Sequence, residues 1–256
     1  MVDDANSGAI YTERYVAFID ILGFSDVVRQ STFFPWRVAS LISILEQMAD
    51  PQQYLLDGLL LEADSFKAQS FSDCIVMSEN ASPGGLLHLL GALTVTSVKL
   101  LAKGIFTRGG IAKGLLHHTD KVVFGPAMIE AYRLESTTAK YPRILVDKAT
   151  HVDYKSPTYT HAGANYSELP AFRFDNDGPP FLDILAPLRL PTADGFEEDI
   201  PLIREEIQRS LDEAIYEPKH FEKVRWLAIY WNELALSIGA RTVDFPQLDH
   251  LNPKKT

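Results

Sequence analysis

Hydrophobic and polar positions along the chain mark out strands and helices in mixed order. Residues 15–20 (YVAFID) form a short apolar run that fits a buried strand. Ile21-Leu22-Gly23-Phe24 then leads to Ser25, whose hydroxyl suits a helix N-cap. Beyond Pro35, the residues Val38, Leu41, Ile42, Leu45 and Met48 keep helical spacing until Asp50-Pro51 stops them. Residues 66–71 alternate, with Phe66, Ala68 and Ser70 on one face. Ser72-Asp73 turns the chain and residues 74–77 return, which predicts a hairpin with Asp73 at or beside its tip.

Pro83-Gly84-Gly85 opens a long helix with Leu86, Leu90, Leu93, Ser97 and Leu100 on one side. Residues 105–114 (IFTRGGIAKG) suit a strand whose glycines permit close backbone approach. A short strand at 122–124, a helix at 127–135 and a strand at 143–147 follow. Residues 172–175 and 181–185 flank the turn Asn176-Asp177-Gly178, a hairpin signal. The tail carries two helical stripes, Ile200, Ile203, Ile207 and Leu211, then Phe221, Val224, Leu227, Tyr230, Trp231 and Leu234, separated by Pro218. This order predicts an α+β fold, a mixed and largely antiparallel sheet with helices on one face. With no Ser/Gly/Pro linker in view, residues 1–256 read as a single domain: a core at about 14–150 and a C-terminal hairpin and helical extension at about 170–240.

Composition narrows the functional classes. Asp and Glu number 34 against 24 Lys and Arg, a net charge of −10, which argues against nucleic acid or an anionic membrane as partner. Cys74 is the single cysteine, so neither an internal disulfide nor a multi-cysteine zinc site is expected. The acidic start MVDDANSGAIYTERY lacks signal-peptide character, and the most apolar window, residues 86–101, is interrupted by polar side chains. The expectation is a cytoplasmic protein.

Two carboxylates stand out by placement. Asp20 ends the first strand and Asp73 lies between the hairpin strands, so side-by-side pairing brings both to one sheet edge. There they suit a pair of divalent cations, Mg²⁺ above all. The plainer alternative makes Asp20 a helix cap and Asp73 a turn residue. Ile21 to Ser25, if they open a helix, offer free N–H groups to a triphosphate. Arg133 suits a developing phosphate charge or, more commonly, a surface ion pair. His117-His118 reads as a loop pair with little claim on a metal, and Cys74 as a small buried residue.

Taken in order, YVAFIDILGFSDVV (15–28), FKAQSFSDCIVMS (66–78), FTRGGIAKG (106–114) and VFGPAMIEAYRLES (123–136) resemble the class III nucleotide cyclases. The resemblance implies a ferredoxin-like core and a homodimer with active sites at the interface. It implies Asp20, Asp73 and the carbonyl of Ile21 as ligands of two Mn²⁺ or Mg²⁺ ions. Gly23, Phe24 and Ser25 would face the triphosphate, and Arg133 of the partner subunit would stabilise the transition state. The reaction implied is attack of the ribose 3′-oxygen on the α-phosphate to give a 3′,5′-cyclic nucleotide and diphosphate.

The departures carry information. Gln69 stands where purine cyclases place an adenine-reading lysine, Val122 where they place a second base-reading acid, and Ile129 where they place a transition-state asparagine. That set, with DGPPFLDIL and VRWLAIYWN in the tail, resembles the bacterial pyrimidine cyclases of antiphage defence. The resemblance implies cyclic UMP, with cyclic CMP as alternative, acting on a separate cyclic-nucleotide-gated effector. Tyr54 is the bulky side chain offered for narrowing the base pocket, with core packing as its other reading. A non-catalytic nucleotide-sensing module on the same fold remains the competing expectation. A two-carboxylate phosphatase is weaker, because Asp20-Ile21-Leu22 lacks a second aspartate.

Overall fold

The computed structural model describes residues 10–24, 65–156, 171–189 and 196–246, with isolated positions at 28, 39, 42 and 43. The expected Ser25 cap, the stripe from Val38 to Met48 (apart from Ile42) and Tyr54 lie outside the described residues. The strands are β1 (Thr12–Ile21), β2 (Lys67–Phe71), β3 (Cys74–Asn80), β4 (Thr107–His118), β5 (Val123–Phe124), β6 (Ile144–Val146), β7 (Phe172–Arg173) and β8 (Phe181–Leu182). They form one mixed sheet in the order β2-β3-β1-β4-β6-β8-β7, with β5 paired to the end of β4. Only β4 and β6 run parallel among these pairs; the others are antiparallel. The α+β class and the predominantly antiparallel sheet agree with the hydrophobic pattern.

Five α-helices are described: α1 (Pro83–Leu101), α2 (Pro126–Arg133), α3 (Lys148–Lys155), α4 (Asp199–Glu213) and α5 (Pro218–Ile238). Ser82 caps α1 by accepting from the Gly85 N–H at 3.1 Å, and Pro83 occupies its first turn, where a missing N–H costs nothing. Leu86, Leu93 and Leu100 of α1 meet Ile203 and Ile207 of α4, Leu227 and Trp231 of α5, and Tyr15, Ile19 and Met77 of the sheet in the main core. Among the described residues α1 is the one helix long and apolar enough to cross a membrane, and 72% of that stretch is buried inside the protein.

The helices do not keep to one face, and that expectation is corrected. Val16 and Phe18 of β1, Val76 of β3 and Ala112 and Leu116 of β4 form a second apolar cluster, covered by Ala127 and Ala131 of α2. The cause is visible in β1, where residues 14–19 are buried without alternation, as in a strand packed on both sides. The close approach expected at the glycines is present. A Cβ on Gly110 would lie 2.3 Å from the Ala131 carbonyl oxygen, and one on Gly109 would lie 2.6 Å from that of Phe18. Helix α2 can therefore seat directly on the β4 backbone. Helix α3 was not expected from the pattern; it starts at Asp147, which accepts from the Thr150 N–H at 2.8 Å.

His117 and His118 end β4 instead of forming a loop, and they point apart. The first meets the Ile10 carbonyl oxygen at 2.8 Å, the second the Ser78 hydroxyl at 2.7 Å. Arg14 binds the same serine through Nε at 3.0 Å and Asn80 at 2.6 Å. Burial, then the charges of Arg14 and Lys67, push the His118 imidazole down to about 4, with Asp120 opposing and His117 adding slightly. Because the unfolded chain takes up this proton near pH 6.5 and the folded chain does not, stability is full above that value and falls as pH drops toward 4. Allowing for solvent screening, the loss at pH 5 is about 1 kcal/mol, or about 2–4 °C in Tm. Thermal scans at pH 7 and pH 5 should show this difference in the wild type and lose most of it in His118→Asn. An equal drop in both proteins would remove His118 as its source.

Candidate metal centre

Strand pairing assembles the site. In the registers of β1, Asp20 stands opposite Cys74 of β3 and opposite Arg108 of β4. Directly opposed residues project to the same side of a sheet, so Cys74, Asp20 and Arg108 form one row across three neighbouring strands. The row lies on the face covered by α2, because it shares the alternation of Phe18, Val76 and Gly110. Asp73 enters from the two-residue turn between β2 and β3, in which Ser72 adopts a left-handed φ of 57°. Its main-chain oxygen accepts from the Ile21 N–H at 2.9 Å, which fixes the turn against the end of β1.

Asp20, Asp73 and Cys74 each present one donor atom, and these atoms lie within 4.8 Å of one another. Two further groups complete the surroundings. Arg108 donates its Nε–H to Asp20 Oδ2 at 3.0 Å, and the same nitrogen lies 2.7 Å from Glu135 Oε1. Glu135 is supplied by a single π-helical turn, Leu134–Thr138, that follows α2. Its side chain is 4% exposed. Burial raises its pKa; Arg108 draws it down, and the Asp20 and Asp73 carboxylates raise it further.

The electrostatics favour a cation. With all three carboxyl groups ionised, Asp20, Asp73 and Glu135 face one guanidinium, a deficit that a divalent ion would cancel. Burial and the charge of Asp73 push the Cys74 thiol up to about 12, with Asp20 and Glu135 contributing. The thiol is therefore protonated at neutral pH and points at Asp73 Oδ1 at 3.5 Å. Two hard carboxylates suit Mg²⁺ and Mn²⁺, and the neighbouring sulfur is tolerated better by the softer Mn²⁺. Asp20 and Asp73 are thus the residues able to hold a metal, with Cys74 beside them.

The other expected residues are placed differently. Ile21 is buried in the main core and touches the site through its backbone. Gly23 is exposed with φ +74°, and Phe24 is half-buried against the core. Gln69 donates to the Asp120 carbonyl oxygen at 2.8 Å, which ties β2 to the turn between β4 and β5. Arg133 closes α2 and is 53% exposed; its guanidinium binds Glu130 of the same helix at 2.6 and 2.7 Å, so within the protomer it is not brought onto Asp20 or Asp73. Ile129 is also on the outer side of α2, 69% exposed.

Sequence reasoning missed Arg108, Glu135 and the placement of Cys74. In the local pattern Arg108 is marked only by the glycines after it, and Glu135 only as the end of a helical segment. No family model matches the chain, and no curated protein matches it.

Proposed function

We propose that the chain is a metal-dependent nucleotide cyclase of the class III type, using UTP, with CTP as the alternative, and releasing 3′,5′-cyclic UMP and diphosphate. The observation that carries this reading is the convergence of Asp20 and Asp73 from a strand end and a hairpin turn. Two Mn²⁺ or Mg²⁺ ions on these carboxylates would activate the ribose 3′-hydroxyl and neutralise the departing diphosphate. The bond from the 3′-oxygen to the α-phosphorus forms as the bond to diphosphate breaks, and the 3′-hydroxyl proton is released.

The chain's own residues supply position. Asp20 and Asp73 hold the charge that binds the ions, and the Ile21–Asp73 backbone hydrogen bond keeps the two carboxylates together. Gly23 leaves the following turn open to phosphate, and Phe24 anchors that turn in the core. Gln69, tied to Asp120, sits beside the turn that carries Val122, so the two expected base-reading positions are neighbours. An amide that both donates and accepts suits the edge of uracil or cytosine. Ser25 keeps the role that the resemblance implies. Arg133 would act across a homodimer by exchanging Glu130 for a phosphate. The proposed role is a second-messenger synthase in antiphage defence, with a separate effector reading the cyclic nucleotide.

The test is incubation of the folded protein with each of the four ribonucleoside triphosphates and Mn²⁺ or Mg²⁺, with products identified by chromatography and mass spectrometry. Cyclic UMP from UTP is the expected result. Cyclic CMP would transfer the assignment to CTP, and no cyclic product from any nucleotide would sink the reading. Triphosphate binding without turnover would favour a nucleotide-sensing module, the reading that Ile129 and the Arg133–Glu130 pair support.

A further inference from the structure

Resting on that metal reading, we infer that Arg108 is a resident counter-ion of the centre, holding Asp20 while no metal is bound and passing to Glu135 when a cation takes Asp20. Asp20 and Glu135 compete for one N–H. The Nε of Arg108 carries a single hydrogen, yet Asp20 Oδ2 lies 3.0 Å from it and Glu135 Oε1 lies 2.7 Å from it. The hydrogen is directed at Asp20. Glu135 Oε1, although closer and buried, has no hydrogen-bond partner among the described residues. A buried carboxylate oxygen in that position is unfavourable, and a small rotation of the guanidinium would satisfy it. The same rotation would release Asp20.

The arrangement has two states and a ligand that distinguishes them. Without metal, Arg108 on Asp20 offsets repulsion between that carboxylate and Asp73. With metal, the ion takes over that role, and Arg108 on Glu135 repairs the unsatisfied buried acceptor. Glu135 therefore assists cation binding without touching the cation. Arg108 and Glu135 are positioning residues, and their effect is read in metal affinity more directly than in turnover.

The test is calorimetric titration of the full chain with Mn²⁺, comparing the wild type with Arg108→Met, Glu135→Gln, their double variant and Asp73→Asn. Arg108→Met keeps the aliphatic stem and removes the competitor, so Mn²⁺ should bind roughly tenfold tighter, the size set by one charge-assisted hydrogen bond. Glu135→Gln removes the alternative partner and should weaken Mn²⁺ binding several-fold. In the Arg108→Met background the Glu135 effect should largely vanish, which general electrostatics would not produce. Unchanged or weaker binding in Arg108→Met, or an undiminished Glu135 effect in the double variant, overturns the inference. Should Arg108→Met not fold, tighter binding in Glu135→Gln does so on its own. A wild-type isotherm identical to that of Asp73→Asn overturns the metal reading, whereas a wild type that binds and an Arg108→Met that binds no tighter overturns this inference alone.

Discussion

On the proposed function, Asp73→Ala is expected to abolish metal-dependent turnover and to leave thermal unfolding within about 2 °C of the wild type, a site-specific role with little structural cost. The fold uses Asp73 through its backbone, whose oxygen accepts from Ile21, and alanine keeps that contact. Among the described residues, the side chain accepts only a long thiol contact from Cys74. Removing it even relieves repulsion of Glu135, whose carboxyl its charge pushes up. The chemical loss expected on that reading is large, because a ligand carboxylate would position an ion that lowers the barrier by several kcal/mol, about a thousandfold in rate. Turnover with Mn²⁺ and the Tm shift on adding Mn²⁺ measure the two sides. Activity within tenfold of the wild type would remove Asp73 from the centre.

The second large effect is on stability, at Arg143. Its side chain is 1% exposed and binds Asp175 at 3.1 Å and both oxygens of Asp177 at 2.7 Å. The guanidinium carbon lies 5.3, 5.7 and 5.6 Å from the ring centres of Tyr141, Phe181 and Trp226. Burial here is offset by ion pairs from two guanidinium nitrogens to two carboxylates and by three aromatic faces together. Arg143→Ala opens a cavity and leaves two carboxylates without their cation. A loss of about 3 kcal/mol follows, or about 6–12 °C in Tm for a chain of this size. Arg143→Lys keeps the charge but not the planar fork and should recover only part of it. Thermal scans by circular dichroism decide the matter; a drop under 2 °C for the alanine variant would show that the cage is not needed for stability. The Arg143 carbonyl accepts from the Gly109 N–H, beside Arg108, a backbone contact that alanine keeps.

The site was legible where local pattern suffices and opaque where contact is long-range. YVAFID, the alternation around Ser72-Asp73 and the leucine spacing after Pro83 are short-range signals, and β1, the β2–β3 hairpin and α1 follow from them. Helix α3 escaped because KATHVDYK carries no apolar stripe, and only Asp147 marked its start. That α2 lies on the opposite face from α1 depends on how the β4–β6 connection passes the sheet, which periodicity does not encode. Cys74, Arg108 and Glu135 join Asp20 through register and through a π turn, and neither is fixed by any segment alone.

The row Cys74–Asp20–Arg108 also makes the sheet a ruler. Opposed residues on adjoining strands have their Cβ atoms held about 4.5–5.5 Å apart by the hydrogen-bond ladder, so the roots of Cys74, Asp20 and Arg108 are spaced by the backbone, while Asp73 is set beside them by the turn bonded to Ile21. On the proposed function, two carboxylates rooted in this way would suit small six-coordinate cations that complete their shells with water or phosphate oxygens better than Ca²⁺, which takes six to eight oxygens from a larger and more yielding cage.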